Sequence, residues 1–142
     1  MISRNTSFIK VTGSDSQVRF LYELLKLRKY NISHKKMPDF LDHKKFVEKN
    51  PYKYWYIIQL NKKFLGSFYI KSDNSIGLNL IDYSKILIKE TIEFIRNNFT
   101  PERETPSIVP PYFYLNTSSD NKKLHYILKE LKLVSIQVSF KI

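Results

Sequence analysis

Tyr54-Trp55-Tyr56-Ile57-Ile58-Gln59-Leu60 is apolar at nearly every position. A strand with two apolar faces belongs inside a sheet covered on both sides, because a solvent-facing side would alternate with polar residues. Asn61-Lys62-Lys63 makes a tight turn into residues 64–71, and Ser72-Asp73-Asn74 makes another into 75–81. Together these predict a three-strand antiparallel meander. Upstream, residues 7–12 read as a short strand ending at Gly13. Ser14-Asp15-Ser16-Gln17 fits a capping box, with Ser14 as cap and Gln17 reaching back to its amide. Val18, Leu21, Leu25 and Arg28 then share one side of a helix, and Leu24 widens the apolar stripe. After the polar stretch 29–37, Pro38 suits a first helical position. Phe40, His43 and Val47, flanked by Phe46, give a second amphipathic helix that closes near Asn50-Pro51.

Downstream of the meander, Tyr83 or Ser84 opens a helix carrying Ile88, Ile92 and Ile95, which ends around Asn97-Asn98. Residues 100–111 hold four prolines and read as a loop. A strand is expected over 112–116, then a helix capped by Ser118 or Ser119 with Leu124, Ile127, Leu128 and Leu131 on one face. Finally Val134, Ile136, Val138 and Phe140 alternate with Ser135, Gln137 and Ser139, the period of a half-buried strand. The expected order is β-α-α-β-β-β-α-β-α-β, an α/β (mixed α+β) fold with one mixed, mostly antiparallel sheet and helices on both faces. A length of 142 residues without repeats, linkers or low-complexity tracts predicts a single domain over 1–142.

Composition narrows the chemistry. Without cysteine, a disulfide scaffold, a Cys-based zinc site and a thiol nucleophile are all excluded. The three histidines show no ligand spacing, so no metal is expected. No apolar run reaches the length of a membrane span, and the first residues lack the apolar stretch of a secretory signal, so a cytoplasmic address is expected. The formal charge of +11 favours anionic partners. The basic residues form no concentrated stripe, and abundant Lys, Asn and Ile across the chain read as compositional bias.

The element order resembles the GNAT acyltransferase superfamily over nearly the whole chain. Local wording agrees in Arg28-Lys29-Tyr30-Asn31-Ile32-Ser33-His34, in Asn50-Pro51-Tyr52-Lys53-Tyr54-Trp55-Tyr56, in Leu65-Gly66-Ser67-Phe68-Tyr69-Ile70 with Ser75-Ile76-Gly77, and in Leu115-Asn116-Thr117-Ser118 through Asn121 to Ile136-Gln137. The resemblance implies an N- or O-acyltransferase that uses acetyl-CoA or another acyl-CoA, with a small-molecule acceptor such as an amino sugar nucleotide. It implies that Leu78, Asn79 and Leu80 present a backbone edge to the pantetheine arm, with Ser84 and Lys85 at a phosphate-facing helix start. Asn116, Asn121 and Lys122 would complete the cofactor side, and Arg28, Asn31 and Tyr56 the substrate side. His34, in a basic loop, would serve as base. A homodimer is compatible with this reading.

Two departures from the family pattern stand out. The family places R/Q-x-x-G-x-G/A before the third helix, since glycine lets backbone approach phosphate closely. Here Asp82-Tyr83-Ser84-Lys85-Ile86-Leu87-Ile88 has no glycine and is about three residues shorter. The family's tyrosine, which protonates the departing thiolate, falls in register on Leu128; Tyr126, two residues away, is the tyrosine available for that role. Plain structural explanations stand beside the functional ones. His34 reads more readily as an exposed loop histidine and His43 as a packed residue, and Asn116 and Asn121 also suit strand-end and cap positions. The aromatics 52–56 alternate with a lysine as single-strand binders do, yet suit a core strand. Two alternatives therefore remain open: a GNAT-like domain that binds a ligand or partner without catalysis, and, last, a nucleic-acid-binding domain.

Overall fold

The computed structural model describes residues 6–28 and 37–142. Its elements are β1 (Thr6–Lys10), α1 (Asp15–Leu27), α2 (Phe40–Lys49), β2 (Tyr54–Leu60), β3 (Lys63–Ile70), β4 (Ser75–Leu80), α3 (Lys85–Asn98), β5 (Tyr114–Leu115) and α4 (Lys122–Glu130). The five strands form one sheet in the order β1-β2-β3-β4-β5. All neighbours are antiparallel except β4 and β5, which are parallel. The fold is a mixed α/β layer structure of the kind the element order implies.

The doubly apolar strand β2 does bury both faces. Ile58 joins Phe68, Ile70, Ile76 and Leu80 against Leu87, Ile88 and Ile95 of α3 and Leu124 and Ile127 of α4. Trp55 and Ile57 join Val11 against Val18 and Leu21 of α1 and Val47 of α2. Helices therefore cover both sides of the sheet. The side-chain alternation of β2 decides which residue serves which layer.

Helix starts differ in detail from the sequence reading. Ser14 makes no side-chain cap to α1. Instead Gln17 Oε1 accepts from the amides of Thr12 (2.8 Å) and Gly13 (3.2 Å), while its Nε2 donates to Lys10 O at 3.0 Å. Burying Gln17 beneath the β1–α1 turn lets one side chain satisfy three backbone groups, so Ser14 is not needed. Asp39, not Pro38, borders α2, and its carboxylate accepts from Asp42 N at 2.8 Å. For α4 the cap is Asn121, whose Oδ1 accepts from Leu124 N at 3.2 Å, rather than Ser118 or Ser119.

The expected last strand does not form. Residues 134–142 belong to no strand and are exposed throughout. A period-2 pattern states only that a segment suits a sheet, and pairing needs an edge within reach. The helix before it ends in a left-handed residue, Lys132 (φ 67°), with Leu133 N donating to Leu128 O and Lys132 N to Lys129 O, both at 3.0 Å. This is a Schellman-type stop, and the chain that follows it joins no strand among the described residues.

Candidate functional site

The site begins where two strands part. β4 and β5 pair only at Ser75–Tyr114 and Ile76–Leu115. Tyr114 N donates to Asn74 O and Asn116 N to Ile76 O, both at 3.1 Å. Beyond Asn116 the chain turns off toward α4, while β4 runs on to Leu80. On its other edge β4 is held to β3, with Lys71 N donating to Ser75 O and Ile81 N to Leu65 O, both at 2.9 Å. Backbone groups alternate sides along a strand, so odd-numbered residues of β4 face β3 and even-numbered ones face β5. The N–H and C=O groups of Leu78 and Leu80 therefore point into the gap, with no partner strand among the described residues.

Asn74 sets where that gap opens. It is 1 % exposed and sits in the left-handed region at φ 70°. Its Nδ2 donates to Pro110 O (2.8 Å) and Glu102 O (3.1 Å), and its Oδ1 accepts from Glu102 N at 2.7 Å. Its own carbonyl takes the Tyr114 amide. One side chain thus fastens both ends of the proline-rich loop and lays β5 beside the start of β4. Lys53 adds an ion pair to Glu102 on the same loop. Sequence reading found the turn at Asn74 but not this task, which needs partners 28 and 36 residues away.

At the far end of the gap stands the start of α3. Ser84 Oγ accepts from Leu87 N at 3.2 Å, and Ile88 N donates to Ser84 O at 3.0 Å. The amides of Lys85 and Ile86 are left without intrahelical partners, at the positive end of a 14-residue helix dipole. Asn79, Leu80, Asp82, Asn121 and Lys123 line the shallow cavity in front of it, together with Arg28. Its charges are partly occupied: Asp82 Oδ1 lies 3.2 Å from Lys123 Nζ, and Lys85 Nζ 3.5 Å from Glu130 Oε2. Both pairs are solvent-exposed, so each is weak and exchangeable.

On the opposite sheet face lies a feature that the sequence reading did not single out. The rings of Tyr52 and Tyr69 stack at 3.8 Å with 4° between their planes. Burial pushes both phenols up, so both are neutral near pH 7. The two hydroxyls interact, and Arg28 lies close enough to act on both. Arg28 Nε is buried without a hydrogen-bond partner among the described residues. The Tyr69 ring crosses β4 at Gly77, where any Cβ would overlap it. A glycine inside a strand marks such a close approach, and that was the available signal.

The remaining candidates are dispersed. His34 and Asn31 lie outside the described residues. Tyr56 faces α3, its ring stacked 5.4 Å from that of Phe68 and edge-on to that of Phe94 at 5.6 Å. Tyr126 is 65 % exposed on the outer side of α4. Asn116 lends its amide to β4 and Asn121 its side chain to the α4 cap, while Lys122 opens that helix. Buried His43 donates from Nε2 to Val18 O at 3.0 Å, tying α2 to α1, and burial lowers its pKa. Among the described residues no cluster of three His, Asp or Glu is placed to hold a metal ion, and no helix is long and apolar enough to cross a membrane.

Comparison with solved structures places this architecture. The chain is similar to a possible acetyltransferase from Clostridium difficile 630, at 12 % identity and TM-score 0.58 over 96 % of this chain and 95 % of that one. It is similar to an aminoglycoside N-acetyltransferase at 14 % identity and TM-score 0.58, covering 89 % and 84 % of the two chains. A third likeness is to an aminoglycoside acetyltransferase from an uncultured soil metagenomic sample, solved with trehalose, at 16 % identity and TM-score 0.53 over 96 % and 94 %. No protein-family model and no curated protein matches the chain by sequence. At these identities the likeness concerns architecture, and the fold is GNAT-like.

Proposed function

We propose that this chain is an acyl-CoA-dependent N- or O-acyltransferase, most simply one that moves an acetyl group to an amine of a small molecule. The observation that carries the reading is the unpaired edge at Leu78 and Leu80, aimed along a gap that ends at the start of α3. An amide-bearing arm lying in that gap would pair with the free groups of Leu78 and Leu80 as a missing strand does. Its phosphates would meet the Lys85 and Ile86 amides and the helix dipole. Acyl-CoA supplies an activated thioester carbonyl. The chain's part is to align that carbonyl and to offer a backbone N–H from β4 to the oxygen on which charge develops. The cytoplasm, where acyl-CoA is found, is the matching compartment.

The acceptor side of this reading is the Arg28–Tyr52–Tyr69 platform beside Asn79. Two of the three similar structures are named for aminoglycosides, which are polycationic. A +11 surface repels such acceptors and draws anionic ones, so an amino sugar carrying a phosphate or nucleotide fits better. Calorimetric titration with acetyl-CoA and with free CoA at moderate salt tests the cofactor half. One saturable site per chain is expected, and no heat with either ligand would refute the proposal.

A second reading is favoured by Asp82, a carboxylate at the mouth where the family pattern has glycines. There the domain binds a ligand without acyl transfer. Saturable CoA binding with no acetyl transfer to any of a panel of amines would select it.

A further inference from the structure

Arg28 Nε and Trp55 Nε1 are buried donors without a hydrogen-bond partner among the described residues, and both border the Tyr52–Tyr69 stack. Trp55 packs edge-on to Tyr52 at 4.9 Å, and the Arg28 charge acts on both phenols. Arg28 takes part in none of the ion pairs of the described residues. Residues 1–5 and 29–36 contain neither Asp nor Glu, so the sequence supplies no further carboxylate to neutralise it. A half-buried guanidinium without a counter-ion is unfavourable unless a ligand restores the pairing. The hydroxyl pair also reaches toward the gap. Tyr69 stands opposite Trp55 on β2 and Gly77 on β4. With no side chain at Gly77, the ring lies over β4 and its hydroxyl occupies space that a Cβ would enter, one residue before Leu78. Asn79 follows on the same face of β4 and lines the shallow cavity together with Arg28.

We propose that Arg28 and the Tyr52–Tyr69 hydroxyls form an oxyanion subsite that selects the acceptor: an amine that carries a phosphate or carboxylate group, held by that group with its nitrogen toward the gap. The inference rests on the acyltransferase reading and goes beyond it in naming the residues that choose the substrate. A guanidinium presents a planar fork of donors that matches two oxygens of either group. Two hydroxyls that interact use one proton between them, which leaves the second free to donate to a ligand. Both phenols are neutral near pH 7, so they add donors without repelling an anion. Lys123, the other cation lining the cavity, already faces Asp82 at 3.2 Å, whereas Arg28 has no such partner among the described residues. The subsite is local, unlike the general attraction of a +11 surface, which salt screens.

Three amino sugars test this: glucosamine, glucosamine 6-phosphate and muramic acid, which offer the same amine with no anion, a phosphate or a carboxylate. Binding is read by calorimetry and by the fluorescence of Trp55, the single tryptophan of the chain, at about 0.3 M salt to screen the general charge. At least one anionic sugar is expected to bind about tenfold tighter than glucosamine, and which one does so identifies the group recognised. Arg28→Met should abolish that preference. Arg28→Lys should lose most of it, because a point charge replaces the fork. Tyr69→Phe keeps the ring and its packing, and about a threefold loss of affinity for the anionic sugar is expected. If Arg28→Met fails to fold, as circular dichroism would show, the lysine and phenylalanine variants decide the matter. Equal affinity for all three sugars overturns the proposal, as does no binding of any, or a preference that survives the Arg28 substitutions. The titrations contain no CoA, so a failure of CoA to bind refutes the acyltransferase reading separately.

Discussion

The two ends of β4 are built on opposite principles. At Asn74–Ile76 the strand is paired on both sides, and a buried amide side chain with both of its donors engaged pins the loop across from it. At Leu78–Leu80, within three residues, one side is bare. A gap in a sheet is stable only if something else holds the parting strands, and here the closed end does so. Rigidity at Asn74 is therefore a condition for openness at Leu80.

Breaking the closed end should have the largest effect. Asn74→Ala strips the partners from two carbonyls and an amide and puts a Cβ residue without side-chain compensation at positive φ. A loss of about 3 kcal/mol is expected, or about 10 °C in melting temperature, measured by thermal denaturation. Any affinity for acetyl-CoA should fall with it, since β5 loses its anchor. A variant melting within a degree or two of the parent would show that the loop is held by something else.

Next comes the crossing of Tyr69 over Gly77. Gly77→Ala drives a methyl into that ring, and about 2 kcal/mol of destabilisation is expected. Combining it with Tyr69→Ala should cost less than the two changes added together, because the clash disappears. Strict additivity would mean that the ring moves aside freely.

The pH dependence follows from His43. Burial holds its folded pKa below the ordinary value, so between the two the unfolded chain binds more protons. Its contribution to stability is complete above the ordinary histidine value near 6.5 and declines as pH falls from there toward the folded value. His43→Gln should flatten this part of the stability profile in denaturant titrations. A profile of unchanged slope would assign it to other groups.

The smallest effect sharpens the open end. Ser84 has the extended backbone that a following proline requires, so Lys85→Pro should leave α3 intact while removing both the ammonium and a free amide. Lys85→Ala removes the ammonium alone. For CoA binding, a loss of about threefold is expected for alanine and about tenfold for proline, by calorimetry. Equal losses would argue against phosphate binding by the helix start.

Much of this was legible in the residues. The doubly apolar run 54–60 announced a central strand, and the order of periodic segments around it led to the GNAT-like architecture that the solved structures share. Helix faces at Val18 and Leu21, and at Ile88 and Ile95, were read correctly because burial and periodicity are local properties of the chain. The candidate site was legible only as a place: Asn79, Leu80 and Asn121 line one shallow cavity, while Tyr56 and Tyr126 lie elsewhere. The Tyr52–Tyr69 pair went unnoticed because its two members sit on different elements, and only Gly77 hinted at the crossing.

Local patterning established the kinds of element, their order and the faces they bury, since each depends on neighbours a few residues away. The span of β5, the duty of Asn74 and the fate of 134–140 depend on which groups remain unpaired after the sheet has assembled. The alternating segment has the propensity of a strand yet pairs with no strand among the described residues, because hydrogen-bond partners exist only where folding has brought a second backbone alongside.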